Sequence, residues 1–254
     1  MGPFTVEQWD MLSGPLALSH ATGLKHRQMV DTSTLLDRTV CRAVLDELGP
    51  IIGSPSRAIT ASLLGKRIAF LVVSPSLYAM SMFDQGLNMR MENCITDYTH
   101  LDGAWRSRMV VNDLTTHGPG RADRFAWIEQ VATGIFAGHL APLWEAFHQA
   151  SGIAPRILWE NTAVRVYSLY ERRIAKLGCG AQQRLAQDDF RYLTGDAPPS
   201  VFGLSDNPLA RYFFERKCVT TPGGLPSQVR VRKTCCLYFM ATKPPEYCST
   251  CPLL

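Results

Sequence analysis

The sequence predicts an α+β protein, a mainly helical body with a small antiparallel sheet in its middle and a cysteine-rich segment at its C-terminal end. Three observations carry this. Apolar residues recur every three or four positions over most of the chain. That recurrence gives way to alternation between Leu87 and Val111. Four of the eight cysteines fall within the last twenty residues.

The elements follow in order. From Thr34 to Leu48 the apolar set Leu36, Val40, Ala43, Val44 and Leu48 faces charges at Asp37, Arg38, Arg42, Asp46 and Glu47, an amphipathic helix that Gly49-Pro50 should stop. Ser54-Pro55 opens a second helix toward Leu71, and Ser74-Pro75 should divide it from a shorter buried helix ending near Met82. Leu87–Cys94 and Trp105–Val111 read as strands, and Thr116–Gly120 reads as a loop by its Gly-Pro-Gly punctuation. Helical spacing returns from Asp123 to Ala150. The clearest helix is Ile157–Leu177, where Trp159, Ala163, Val166, Tyr170, Ile174 and Leu177 make one apolar face and Gly178 supplies a stop. Its opposite edge aligns Asn161, Arg165, Ser168 and Arg172, which by itself fits a plain solvated face. Asp206-Asn207-Pro208 opens a helix to about Arg216. Thr220–Pro226 is a loop, and Val229 and Val231 alternate with Arg230 and Arg232 in a short strand leading into Cys235.

Composition narrows the classes. A chain of 254 residues with 46% apolar residues builds its core without crosslinks. Residues 1–11 lack the basic start and apolar run of a signal peptide. The longest uncharged stretch, Ile68–Phe83, is broken by Pro75 and is shorter than the ~20 residues a membrane-spanning helix needs. The expected setting is therefore the cytoplasm, where thiols stay reduced. The net charge of +4 is spread along the chain without a basic block and interleaved aromatics, so no nucleic-acid groove is expected.

Cys41, Cys94, Cys179 and Cys218 are scattered singly and read as small buried hydrophobes. Cys235 and Cys236 are adjacent; eleven residues then separate them from Cys248-x-x-Cys251. Four thiolates at this density suit zinc or an iron–sulfur unit, since both take soft sulfur in roughly tetrahedral sets. A zinc ribbon normally repeats the Cys-x-x-Cys knuckle, and the doublet does not, which favours a cluster while leaving zinc open. Neighbouring side chains of a strand point apart, so the backbone must turn at Cys235-Cys236 for both sulfurs to converge. Cations at Arg230, Arg232 and Lys233 lead into the doublet, and alternation sends Lys233 to the face opposite the two arginines. No serine-hydrolase elbow, metalloprotease helix, dinucleotide fingerprint or phosphate loop is present, and none of the six histidines pairs with another at metal-ligand spacing. Without a flavin or dinucleotide site, electrons must come from another protein.

The string Val231-Arg-Lys-Thr-Cys-Cys-Leu-Tyr-Phe, followed by Cys248-Ser-Thr-Cys251-Pro, resembles the cluster-binding end of the FhuF-type ferric-siderophore reductases. Ile157-Leu-Trp-Glu-Asn161 and Asn207-Pro-Leu209 resemble two further segments of that family, and the likeness covers most of the chain from about residue 55. The gap of eleven residues is one more than is usual there. The resemblance implies a [2Fe–2S] cluster on Cys235, Cys236, Cys248 and Cys251, with no other catalytic side chain. It divides the chain into a body, residues 1–219, and a cluster segment, residues 220–254. It implies reduction of ferric iron in hydroxamate siderophores, an external donor such as a ferredoxin or other reductase, and at most a peripheral membrane contact. Cluster potentials reach down to roughly −700 mV, low enough for such tight ferric complexes. Trp159, Asn161, Arg165, Arg232 and Lys233 become candidates for substrate binding. A four-cysteine zinc interaction module and an iron–sulfur relay or sensor are the competing readings.

Overall fold

The computed structural model describes residues 3–22, 28–120, 123–177, 180–220 and 226–254; Cys179 and the Gly178 stop lie outside them. Its centre is one helix. The helices are α1 (Val6–Ser13), α2 (Arg38–Ile51), α3 (Arg57–Phe83), α4 (Arg124–Ile135), α5 (Ala141–Ser151), α6 (Pro155–Ser168), α7 (Ala181–Arg191) and α8 (Pro208–Arg211). Helix α3 is packed by α2, α4, α5, α6 and α7.

The sequence predicts two helices where α3 is one. Pro75 removes a backbone hydrogen bond and costs about 3 kcal/mol in an ordinary helix interior. Every residue from Leu71 to Ser81 is buried, however, and the packing of that apolar surface outweighs the loss. Helix α3 is long and apolar enough to cross a membrane by length and composition. Its most apolar stretch is 78% buried inside the fold, where that surface packs against other helices. A second expected break also fails: α2 starts later, at an Asp37 cap, and runs through Gly49-Pro50 to Ile51. A proline in the last turn deletes one bond only, near an end that frays anyway.

Two predicted helices contain wide turns. Phe136–Leu140 joins α4 to α5, and Leu169–Arg173 extends α6 into a short tight turn ending at Leu177. The helix expected over 208–216 is a single turn, capped by Asn207, whose side chain accepts from the N–H groups of Leu209 and Ala210.

The sheet contains four strands: β1 (Leu18–His20), β2 (Met29–Asp31), β3 (Cys94–Asp97) and β4 (Met109–Val111), in the order β1-β4-β3-β2. All pairs are antiparallel except β1 with β4, where Leu18 faces Met109 in parallel register. The predicted strand Leu87–Cys94 is mostly not strand: Gly86–Leu87 pairs with Thr116–His117, Met91–Asn93 is a tight helical turn, and β3 begins at Cys94. Strands β5 (Lys217–Thr220) and β6 (Pro226–Val229) form a hairpin before the cysteine segment.

The site depends on how α3 meets α6. At Gly65 a Cβ would lie 2.7 Å from Leu158 Cδ2, with Trp144 close behind. A glycine here lets the two helices approach closely. Ser62 and Lys66, on the turns flanking Gly65, are thereby set beside the α6 residues Glu160, Asn161 and Arg165. Gly65→Val is expected to destabilise the protein by about 1–3 kcal/mol through overpacking, measured by chemical denaturation; an unchanged midpoint would refute this close approach.

Candidate metal centre

The last twenty-five residues lie across the α3–α6 platform and are held by named bonds. Glu160, only 2% exposed, accepts the N–H groups of Lys233 and Thr234, each at 2.7 Å, and also the Thr234 hydroxyl. One buried carboxylate thus fixes the turn immediately before Cys235. The Ser62 hydroxyl donates to the carbonyl of Cys236 at 2.8 Å, and the Asn161 amide donates to the Ser62 carbonyl at 3.2 Å. The Arg232 N–H donates to the Thr250 carbonyl at 3.0 Å, which ties the two cysteine pairs into one loop. Arg230 donates to Glu171 at 2.6 Å.

The backbone turns where convergence of the doublet requires it. Leu237, the next residue, takes a left-handed conformation with φ of 63°, and its N–H donates to Cys235 Sγ at 3.3 Å. The second pair sits on a tight turn in which the Cys251 N–H bonds the Cys248 carbonyl at 2.9 Å. Cys236 Sγ and Cys248 Sγ are 4.0 Å apart, and Cys235 is within hydrogen-bonding reach of Cys251. Cys236 and Cys251 are buried; Cys235 and Cys248 are half-exposed.

The sulfurs stand in two pairs. With metal–sulfur bonds of about 2.3 Å, two thiolates on one metal lie roughly 3.8 Å apart, close to the 4.0 Å separation of Cys236 and Cys248, so these thiols are placed to bind metal.

The surroundings are those of an anion. Lys66 Nζ lies 3.8 Å from Cys236 Sγ and 5.5 Å from the centre of the Tyr238 ring. Arg232 is 5% exposed; its Nε is 3.8 Å from Glu160, and its Nε and Nη2 have no hydrogen-bond partner among the described residues. Buried guanidinium N–H groups without acceptors are costly unless negative charge sits near them; Glu160 supplies one such charge, and a cluster on the four thiolates would supply more. The hydrogen bond with Cys248, reinforced by Lys66 and Arg232, holds the Cys236 thiol well below its usual range. Burial raises that of Cys235. The residues therefore fit a [2Fe–2S] group.

A groove of about 240 Å³ opens beside this segment. Arg165, Ser168 and Arg172 of the predicted polar row line it, as do Lys66, Arg232 and the Cys248-Ser249-Thr250 wall. Three of the other candidates lie elsewhere. Trp159 is buried in the core, Asn161 is buried beneath the row, and the exposed Lys233 points its ammonium at the Phe214 ring, 4.0 Å from the centroid. Cys41 on α2 and Cys94 on β3 are buried, whereas Cys218 is exposed on β5, unlike the buried hydrophobe expected there. Glu160, Ser62 and Lys66 were missed by sequence reading. Glu160 stands inside the Ile157–Asn161 string, and Lys66 is one of three charges in a long apolar helix; both were legible signals.

The family model described as Ferric iron reductase FhuF-like transporter matches residues 62–218, and the FhuF 2Fe-2S C-terminal domain matches residues 232–253. No curated protein matches the chain.

Two outcomes follow from the geometry. Replacing Cys235, Cys236, Cys248 or Cys251 by Ser should remove or alter the visible absorption of anaerobically purified protein, whereas Cys41→Ser and Cys94→Ser should keep it; equal losses in all six would contradict the sorting of the thiols. Glu160→Ala leaves Arg232 buried without its counter-charge and frees the turn before Cys235, a loss of about 3–5 kcal/mol. Thermal unfolding and iron content per chain should both fall, and full iron loading at unchanged stability would show that Glu160 does not position the segment.

Proposed function

We infer the function from one premise: this chain belongs to the FhuF-like ferric iron reductase family, with its 2Fe-2S C-terminal domain. Residues 1–219 act as the body that receives a ferric hydroxamate siderophore, and residues 220–254 as the segment that holds the cluster through Cys235, Cys236, Cys248 and Cys251. The observation that supports this most is that Cys248, one of the four thiols, is also part of the wall of the cation-lined groove. A complex seated there touches the residue that holds the redox group.

When bound, the cluster supplies one electron at a time, at a potential set by its charge surroundings, hydrogen bonds and exposure. The protein's own contribution is positional. Glu160 and Ser62 fix the doublet, Lys66 and Arg232 stabilise negative charge on the sulfurs, and the groove brings the ferric complex against Cys248. Ferric iron is a hard ion held by charged oxygen donors, and ferrous iron is held by them far more weakly. One electron therefore converts a locked complex into one that releases its metal, and no covalent chemistry is needed from side chains. The electron enters from an external donor such as a ferredoxin, and the setting is the cytoplasm.

Reduction should be visible directly. Dithionite-reduced protein, freed of excess dithionite and mixed anaerobically with a ferric trihydroxamate and a ferrous-specific chelator, should reoxidise and yield one ferrous ion per electron given up. A cluster that stays reduced with no ferrous chelate formed would remove the reductase reading and leave a relay or sensor.

A further inference from the structure

The groove beside Cys248 has a charge that a neutral siderophore does not explain. Six cationic side chains line it, Lys66, Arg165, Arg172, Arg216, Arg230 and Arg232, against two carboxylates, Glu160 and Glu171. The carboxylates are already engaged. Glu171 holds Arg216 at 2.9 Å and Arg230 at 2.6 Å, and Glu160 faces Arg232 and the backbone before Cys235. Lys66 lies against Cys236 Sγ. Arg165 and Arg172 remain, and neither has a carboxylate partner among the described residues. Arg165 is largely buried, with its Nε donating only to the Lys66 carbonyl at 3.4 Å and its guanidinium 5.8 Å from the Phe70 ring centre. Arg172 is exposed at the mouth, carried there by the wide turn Leu169–Arg173 that continues α6. Wide turns of this kind frequently mark functional sites.

Size adds a second constraint. At about 240 Å³ the groove is smaller than the ~300–1,000 Å³ of sites that enclose a drug-sized ligand. A hexadentate ferric chelate cannot be swallowed whole, so one edge or arm enters. Two guanidinium groups on one helix edge, one deep and one at the rim, suit a carboxylate, which arginine binds in a planar, bidentate manner.

On the ferric-chelate reading above, we propose that the groove selects ferric hydroxamates that carry a free or additional carboxylate and a net negative charge, with Arg165 and Arg172 as the residues that recognise it. Neutral trihydroxamate complexes are then poorer ligands of the same face.

Gallium complexes separate binding from reduction, because Ga(III) has the charge and coordination of Fe(III) but accepts no electron under these conditions. The full-length, cluster-loaded protein is titrated calorimetrically with two probes: a neutral Ga(III) trihydroxamate, and the same Ga(III) trihydroxamate carrying one pendant free carboxylate, which makes the complex anionic. The anionic complex should bind about tenfold more tightly or better at low ionic strength, and the difference should shrink as salt rises. Arg172→Gln should weaken it about three- to fivefold and Arg165→Gln roughly tenfold, with the neutral complex shifting less than twofold in both. Retained visible absorption reports that each variant is folded, and Arg172→Gln alone decides the matter where Arg165→Gln is not. Equal affinity for the two probes, or an anionic preference untouched by Arg172→Gln in folded protein, overturns the proposal. The matching ferric complexes are mixed with reduced protein in parallel. Selective gallium binding without ferrous iron there sustains the binding site and removes the reductase reading, whereas ferrous iron without charge selectivity does the reverse.

Discussion

The carboxylate of Glu160 is the interaction on which the C-terminal segment rests. A charge buried to 2% exposure is expensive, several kcal/mol after relaxation, and it persists only where donors repay that cost. Here two backbone N–H groups, a hydroxyl and Arg232 do so. The carboxylate in turn supplies what a short, irregular chain segment lacks. Residues 230–234 are neither helix nor strand, so their N–H groups have no ladder to join, and Glu160 takes two of them. A turn held by an anion on a rigid helix places Cys235 and Cys236 more firmly than loop packing alone would.

That carboxylate works only because α6 is close to α3, and the closeness traces to Gly65. Around that contact the chain collects charges that an apolar core normally excludes: Lys66 and Arg165 on the two helices, Arg232 on the segment, Glu160 beneath it. Arg232 and Arg165 repel each other, and burial pushes the Arg165 guanidinium below its usual range. Arg232 is buried and Lys66 and Arg165 are partly so, and such a group of cations is more stable where more negative charge enters than one carboxylate brings. A [2Fe–2S] cluster held by the four thiolates would bring that charge and so link loading of the site to stability of the segment.

Much of this was legible in the sequence. The four cysteines, their separation from the other four, and the requirement for a turn at the doublet are visible in spacing alone, and Leu237 supplies the turn. The order of the helices is legible in apolar spacing. The continuity of α2 through Pro50 and of α3 through Pro75 is not, because proline's local cost is visible in sequence and the compensating burial is a property of the assembled fold. Strands β1 and β2 were missed for a simpler reason: three residues cannot display a period of two against background. Trp159 and Asn161 show the opposite limit. They stand out in a motif, yet their roles lie beneath the site; Asn161 acts on the doublet only through Ser62. Glu160, between them, carries the function that the string advertises.

On the proposed reading the cations around the groove would face two anions, and this sets a balance. Positive charge near the sulfurs favours the reduced state and raises the potential, which weakens the driving force toward a tightly chelated ferric ion. Lys66 and Arg232, nearest the sulfurs, act in that direction. Arg165, which also feels the Cys236 sulfur, and Arg172 on the turn after α6 would act on whatever enters the groove. On the proposed reading, an anionic chelate held against them would sit in a positive field. On gaining an electron, the chelate becomes more negative and its iron less tightly gripped. The groove therefore stabilises the reduced complex more than the oxidised one, which returns driving force that the cations near the cluster take away. Placing Lys66 and Arg232 on α3 and the C-terminal segment, and Arg165 and Arg172 on α6 and the turn that continues it, would let the protein hold a stable cluster and still deliver its electron.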